Sequence, residues 1–206
     1  MNRGRITFQI ACVAAGAILL AITLWSPLYP REQWLQHVPT AIALPALLLA
    51  ARRGWLSDLS MSCLAAMLAL HILGARWIYS YVPYEQWCDA AFGSGPSDWF
   101  GWTRNHYDRL VHLAFGLLMT LPLAEAARRY ARMGAASSLA FAWFAVAGVS
   151  AVYEVFEWGL AVIAAPDIAE KYNGQQGDFW DAQKDMALAM AGSSLAVVGM
   201  AITGRR

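Results

Sequence analysis

The sequence has few charged residues. Of its 206 residues, 14% are charged and 59% are apolar, whereas soluble domains have about 25% charged and about 45–50% apolar residues. The mean hydropathy of +0.41 agrees with this bias. These values exclude an ordinary cytosolic domain, a disordered chain and a nucleic-acid-binding protein with a basic face. They are typical of a protein embedded in a membrane.

Cysteine is also scarce, and the chain has no internal repeat. Cys12 and Cys63 lie in apolar runs, and Cys88 lies alone in a loop. None of their spacings matches a metal or redox motif, which argues against a disulfide framework. We interpret all three as free thiols that fill small apolar spaces.

Six apolar runs are long enough to cross the hydrocarbon core of a bilayer as helices. They are continuous, unlike the alternating segments of about ten residues that build membrane β-barrels. We therefore predict an all-α, polytopic membrane bundle of six transmembrane helices, which forms a single domain over residues 1–206. The runs are Ile6–Trp25, about Leu35–Ala51, about Leu59–Tyr79, about Asp108–Glu125, about Ser137–Ala164 and about Ala182–Thr203.

Basic residues predict the orientation of this bundle. With six spans, nine arginines but only two acids, Asp58 and Glu125, fall on one side. Cytoplasmic loops carry an excess of Lys and Arg, so this side is predicted to be cytoplasmic, together with both termini. The nine are Arg3, Arg5, Arg52, Arg53, Arg128, Arg129, Arg132, Arg205 and Arg206. The longer loops are then predicted to face the opposite side, which is the periplasm or the cell exterior.

The predicted outer loop at residues 76–107 is rich in aromatic side chains. One interpretation is an aromatic belt at the level of the lipid headgroups. The other is a lid over a pocket, or a groove for a lipid headgroup. The sequence leaves both open.

Ionisable residues recur inside the predicted spans, where they are costly and indicate function. Asp108 and His112 are four residues apart and share one helical face. Glu154 and Glu157 are three apart, and acids at positions 178, 181 and 185 continue the pattern in the last span. Alternate helices run in opposite directions, so these groups are predicted to meet at one level in the outer leaflet.

Clustered carboxylates in a low dielectric need neutralising cations. Arginine, lysine or protonated histidine could serve, as could shared protons or a bound divalent metal with His and carboxylate ligands. The predicted catalytic residues are Asp108, His112, Glu154, Glu157, Asp181 and Asp185, with His112, Glu157 and Asp185 as metal ligands. The predicted substrate-binding residues are His71, Arg76, Arg109, Tyr153, Gln176 and Asp178.

Each of these residues also has a purely structural interpretation. Asp178 and Asp108 could cap helices, and His71 could be a neutral histidine bonded to a neighbouring helix. Glu154 and Glu157 could belong to an ion-pair network that only fixes helix packing.

Four segments resemble the YjdF-type family of bacterial inner-membrane proteins. The resemblance implies a multi-pass inner-membrane protein and no particular reaction. The segments are His71–Tyr84, Asn105–His112 (Asn-His-Tyr-Asp-Arg-Leu-Val-His), Tyr153–Trp158 (Tyr-Glu-Val-Phe-Glu-Trp) and Tyr172–Asp185.

A second pattern is similar to VanZ-like membrane proteins, which carry Asp-Lys-x-x-His, a Glu in the next helix and an Asp before a small-residue helix. Here Asp108 to His112 has Arg109 where Lys is usual, and Asp185 precedes small residues. The similarity implies a shared helical core. The aromatic loop and the Gln-Gln-Gly-Asp segment at 175–178 depart from the pattern, so no antibiotic role is inferred.

Three functions fit the sequence. The first is a metal-assisted hydrolase or transferase that acts on a lipid or lipid-linked headgroup. The second is binding or transport of a small molecule, an ion or a lipid. The third is a structural or partner-binding protein whose helices pack through small residues, among them Gly148, Gly192 and Gly199. Membrane lipid is the expected partner, and no nucleic acid is expected.

Overall fold

The computed structural model describes residues 3–163 and 175–204. Over these residues it is helical and contains no strand, which confirms the all-α prediction. Ala164, Lys171, the Tyr172–Gly174 part of the family motif, Arg205 and Arg206 lie outside the described residues. The helices are α1 (Arg3–Leu24), α2 (Pro30–Gln36), α3 (Val38–Arg53), α4 (Asp58–Arg76), α5 (Tyr84–Phe92), α6 (Pro96–Phe100), α7 (Tyr107–Tyr130), α8 (Ala135–Ile163) and α9 (Asp181–Ile202).

Six segments are long and apolar enough to span a membrane, which confirms the six predicted spans. They are Gly4–Leu24, Pro30–Arg53, Asp58–Arg76, Tyr107–Tyr130, Ala135–Ile163 and Asp181–Ile202. The second contains both α2 and α3, because His37 interrupts the helix between them. The cytoplasmic location of the termini stays a prediction.

The third span ends earlier than its apolar run predicts. The helix stops at Arg76, and Ile78 and Tyr79 follow with φ values of 43° and 58°. Tyr79 folds back so that its amide donates to the Gly74 carbonyl at 2.8 Å. A Cβ at Gly74 would lie 2.7 Å from the Tyr79 ring. Glycine at this position therefore permits the turn that ends α4.

The aromatic loop folds into two short helices, α5 and α6. Gly93 ends α5 with φ 77°, and Pro96 begins α6, so residues 93–95 form the turn between the two helices. The Trp77 and Trp87 rings pack edge to face at 5.5 Å. The loop is thus ordered, and its role as belt or lid stays a prediction.

The centre of the bundle is α7, which packs against α4, α8 and α9. The two helices α7 and α9 come close together at Gly192, where a Cβ would overlap the Leu113 carbonyl oxygen. Added Cβ atoms at Gly148 and Gly199 would meet no described neighbour within 4 Å. Close helix packing within the described part of the chain is therefore found at Gly192, whereas the packing role of Gly148 and Gly199 stays a prediction.

Candidate functional site

The segments that precede α7 and α9 are joined by a pair of hydrogen bonds. The Asn105 amide donates to Gln176 Oε1 at 3.0 Å, and Gln176 Nε2 donates to the Asn105 carbonyl at 3.1 Å. The Asn105 side chain also donates to the Val82 carbonyl at 2.9 Å. This arrangement holds the first turns of α7 and α9 side by side.

A network of three cations and two acids lies at these first turns, and we call it the rim network. Its members are Arg104, Arg109, Lys184, Asp178 and Asp181. Arg104 Nη1 lies 2.6 Å from Asp181 Oδ1, and Lys184 Nζ lies 2.6 Å from Asp178 Oδ2. Arg109 Nη2 contacts both acids, at 3.2 Å for Asp181. These cations already have carboxylate partners.

Two groups beside the rim network, outside the spans, have shifted pKa values. Hydrogen bonds from Lys184, the Trp180 amide and Arg109 hold the pKa of Asp178 well below its usual range. Burial lowers the pKa of His106, and the nearby guanidinium groups of Arg109 and Arg104 lower it further. Arg109 Nη1 lies 3.3 Å from His106 Nδ1, where a neutral ring can accept its hydrogen bond.

A second group of side chains lies next to the rim network and further into the bundle. We call Asp108, His112, Glu154 and Asp185 the inner cluster. His112 Nε2 lies 3.8 Å from Asp108 Oδ1 and 3.6 Å from Glu154 Oε1. Within the described part of the chain, Glu154 Oε1 and Asp185 Oδ1 are buried without a hydrogen-bond partner. The cluster therefore has buried acceptor atoms available.

Three members of the inner cluster place candidate metal-ligand atoms near one another. One ligand atom each from Asp108, His112 and Asp185 lies within 4.8 Å of the other two. Imidazole nitrogen and carboxylate oxygen suit Zn²⁺ and similar divalent ions, and three protein ligands are usual for catalytic metals. Orphaned Asp185 Oδ1 is consistent with such a ligand.

A cavity of about 240 Å³ opens beside the inner cluster. Its walls combine apolar residues of α4, α7 and α8 with polar side chains from four spans. His71 on this wall has its Nδ1 2.5 Å from the Tyr79 hydroxyl. The polar lining residues include Gln36, His71, Asp108, His112, Ser150 and Tyr153.

Comparison with known proteins gives the family. Residues 10–206 match the family described as "Predicted membrane protein (DUF2238)". The chain belongs to this family. It is also 33% identical, over 175 residues, to the inner membrane protein YjdF of Escherichia coli strain K12, an alignment that covers 84% of this chain and 79% of that protein. No solved structure matches it.

These findings make this DUF2238 protein a multi-pass membrane protein, and its relative supports an inner-membrane location. They confirm the family predicted from the four segments. The similarity to VanZ-like proteins stays a prediction.

The structure brings together part of the residue set that the sequence predicts. His112, Glu154 and Asp185 meet in the inner cluster with Asp108. Glu157 is outside the trio with metal-ligand geometry and hydrogen-bonds Tyr153, one turn earlier in α8. Asp181 and Asp178 belong to the rim network instead, with Arg109.

Two predicted substrate-binding residues have backbone partners. Arg76 Nη1 donates to the Thr23 carbonyl at 2.6 Å, which ties α4 to the end of α1. Among the described residues that line the cavity, Arg76 is absent. Gln176 bonds the backbone of Asn105 in both directions.

The structure also tests the capping interpretations. His106, not Asp108, occupies the N-cap position of α7. Asp178 accepts from the Trp180 amide at 3.0 Å, so it does order the turn before α9.

Sequence reasoning missed three residues of the site: Arg104, Tyr79 and Ser150. Arg104 precedes the Asn105–His112 motif and could have been noted as a cation near several acids. Ser150 lies one turn before Glu154 on α8, and Tyr79 lies beyond the true end of α4, so neither gave a distinctive signal.

Proposed function

We propose that this DUF2238 protein binds a divalent cation through Asp108, His112 and Asp185 and acts as a metal-assisted hydrolase or transferase on a lipid or lipid-linked headgroup. The observation that carries the proposal is the convergence of three ligand atoms within 4.8 Å, contributed by α7 and α9. Two carboxylates and one imidazole form a donor set that divalent metals accept.

Charge balance supports a cation at this position. The inner cluster holds three carboxylates and one histidine, mostly buried. Buried acids without a counter-charge are strongly unfavourable. The nearby guanidinium groups of Arg104 and Arg109 pair with Asp178 and Asp181 in the rim network. A divalent ion would neutralise charge that these arginines leave uncompensated.

The position of each residue in the cluster and the cavity indicates its role in the proposed reaction. When bound, the metal would polarise a scissile group and lower the pKa of a bound water. Glu154, with an orphaned carboxylate oxygen beside His112, accepts a proton from the attacking water. The cavity binds the reacting group, and Ser150 and Tyr153 on its wall supply hydroxyls that orient it.

The size and position of the cavity indicate the substrate. A volume of about 240 Å³ is below the usual range for drug-sized ligands, about 300–1,000 Å³. It suits a headgroup or a small polar group rather than a whole lipid. The distribution of arginines in the sequence supports a position of the inner cluster toward the periplasm.

Metal content of the purified full-length chain tests this proposal without any activity assay. At neutral pH we expect equimolar divalent metal in the wild-type protein by elemental analysis. His112→Ala and Asp185→Asn should each lose most of it. Asp58→Asn is the matched control, because it removes the same charge from an exposed acid at the start of α4 and should retain the metal.

Size-exclusion chromatography and circular dichroism establish that each variant is folded. A wild-type protein that holds no metal after incubation with Zn²⁺, Mn²⁺ or Mg²⁺ would rule out the proposal. Equal metal retention in both cluster variants would do the same. Variants that change only thermal stability would favour the structural alternative.

A second candidate is binding or transport of a small cation or a proton. The observation that favours it is the interruption of the second span at His37, since discontinuous helices line the binding sites of many transporters. Gln36 and Pro39, on either side of the interruption, both line the cavity. Counter-flow in proteoliposomes separates the two functions, because an enzyme gives no flux.

A further inference from the structure

A larger cavity lies at the opposite end of α7 from the inner cluster. Its volume is about 700 Å³, and it is open to the surroundings. Its lining combines three arginines, Arg128, Arg129 and Arg132, with apolar side chains that include Leu121, Met133 and Met200. We call it the arginine pocket. A lining that is both cationic and apolar suits an amphipathic anion.

Among the described residues that line the arginine pocket, Glu125 is the acid, and its carboxylate accepts hydrogen bonds from two serines outside the pocket lining. Glu125 accepts hydrogen bonds from the Ser57 amide at 2.7 Å and the Ser57 hydroxyl at 2.6 Å, and a third from the Ser60 hydroxyl. Over residues 3–163 and 175–204, no acid forms an ion pair with any of the three arginines. The pocket therefore holds three arginines against one carboxylate, and its lining has a net positive charge.

Arg129 is held in place by contacts that use one of its guanidinium N–H donors. Its Nη1 donates to the Trp55 carbonyl at 2.9 Å, and its guanidinium lies 5.6 Å from the Tyr130 ring centre. The Tyr130 hydroxyl bonds the same Trp55 carbonyl at 2.8 Å. A guanidinium has five N–H donors, so most of those on Arg129 remain for a ligand.

Arg132 lies in a backbone conformation that favours glycine. Its φ is 55°, beyond the end of α7, and the Ala127 carbonyl accepts from the amides of Ala131 and Met133 around it. Non-glycine residues in this region carry strain, which is retained where the side chain has a use. Helix-dipole effects explain Arg128 and Arg129 in the last turn, but Arg132 follows the helix.

We propose that the arginine pocket binds a phosphate mono- or diester with net negative charge. Guanidinium forks match phosphate oxygens in pairs, and basic pockets between transmembrane helices are known sites for anionic headgroups. The apolar wall favours an anionic phospholipid over soluble phosphate as the source. This proposal does not depend on a metal in the inner cluster.

The test is native mass spectrometry of the full-length chain in neutral detergent. Phosphatidylglycerol, phosphatidylcholine and inorganic phosphate are titrated separately into wild-type protein and variants. Arg128→Gln/Arg132→Gln should weaken phosphatidylglycerol binding about tenfold or more, since the loss of even one charge-assisted pair is worth about that factor. Arg52→Gln/Arg53→Gln is the matched control, because it removes the same charge from exposed arginines at the end of α3.

Arg132→Gly separates binding from backbone structure. Glycine relieves the positive φ, so the thermal midpoint should stay the same or rise, while phosphatidylglycerol binding falls. A purely structural arginine would give unchanged binding in this variant, and that result would overturn the proposal.

The titrations with lipid and with inorganic phosphate identify which kind of molecule carries the bound phosphate group. Preference for phosphatidylglycerol that depends on the pocket arginines supports a lipid headgroup. Saturable inorganic phosphate binding at the same arginines, without lipid preference, supports the same chemistry with a soluble source. Equal losses in the pocket and control double variants would show non-specific charge attraction and overturn the site, as would no binding of either ligand.

Discussion

Gly116 of α7 and Gly192 of α9 each lie against the backbone of the other helix. A Cβ at Gly116 would overlap the Ala189 carbonyl oxygen and lie 2.7 Å from the Ser193 amide nitrogen. Gly192 stands in the same relation to Leu113 and Leu117. One turn after Gly116 on α7, the Thr120 hydroxyl forms a hydrogen bond with the Ser193 hydroxyl of α9, with an Oγ1–Oγ distance of 2.7 Å. Small residues that let backbones approach in this way are typical of membrane helix pairs.

The first prediction follows from this contact. Gly192→Ala should destabilise the protein by about 1–3 kcal/mol, because the added methyl group has to push two helix backbones apart. Gly199→Ala is the control on the same helix and faces open space. It should be neutral or stabilise α9 by about 0.5–1 kcal/mol through better helix propensity. Unfolding in mixed detergent micelles measures both, and equal effects would contradict the close contact.

The two acids of the rim network should differ in their contribution to stability. The Asp181 side chain is 3% exposed and pairs with Arg104, which is 12% exposed. Asp181→Asn should cost roughly 3 kcal/mol, because the mostly buried Arg104 then keeps only its longer contact with Asp178, at 3.6 Å. Asp178→Asn should cost less, since Lys184 is 49% exposed and remains hydrated, while Arg104 and Arg109 both keep Asp181 as a partner.

A double variant identifies the cause of that loss. Asp181→Leu/Arg104→Met removes both charges and should be more stable than Asp181→Leu alone, because no buried charge is left unpaired. Thermal melts of the three variants measure this. If the loss of stability in the double variant equals the sum of the losses in the two single variants, the two side chains act independently.

His106 should make stability depend on pH. Its pKa is lowered from 6.5 by burial and by Arg109 and Arg104, so the unfolded chain binds a proton before the folded chain does. Stability is then complete above about pH 6.5 and is lost as the pH falls toward the folded-state pKa. His106→Gln keeps an acceptor for Arg109 and should reduce the slope. Thermal midpoints from pH 7.5 to 5 measure the difference from wild type, and parallel curves would contradict it.

The spans could be predicted because length and apolarity are enough to identify a membrane helix. The interruption at His37 was missed although the sequence has a local signal for it. Pro39 at the start of α3 lacks an N–H donor and crowds the preceding turn, which favours a helix break just before it. The early end of α4 depends on the Tyr79 ring packing over Gly74, a contact between residues with no distinctive pattern.

The candidate site was partly predictable, because helical spacing and helix direction determine which residues share a face and a depth in the bundle. Helical spacing and alternating direction indicate that Asp108, His112 and Asp185 share a level. Spacing alone does not decide which of Glu154 and Glu157 faces them, because both lie on nearly the same side of α8. Arg104 was missed because a loop path determines its distance from Asp181.

Three separate contacts prevent α7 and α9 from sliding past each other: the Asn105–Gln176 bonds, the glycine crossing and the Thr120–Ser193 bond. A slip of one turn would shift α9 by about 5.4 Å along its length. That distance exceeds the 4.8 Å within which Asp108, His112 and Asp185 now meet. The axial register of this helix pair therefore determines whether Asp185 reaches Asp108 and His112.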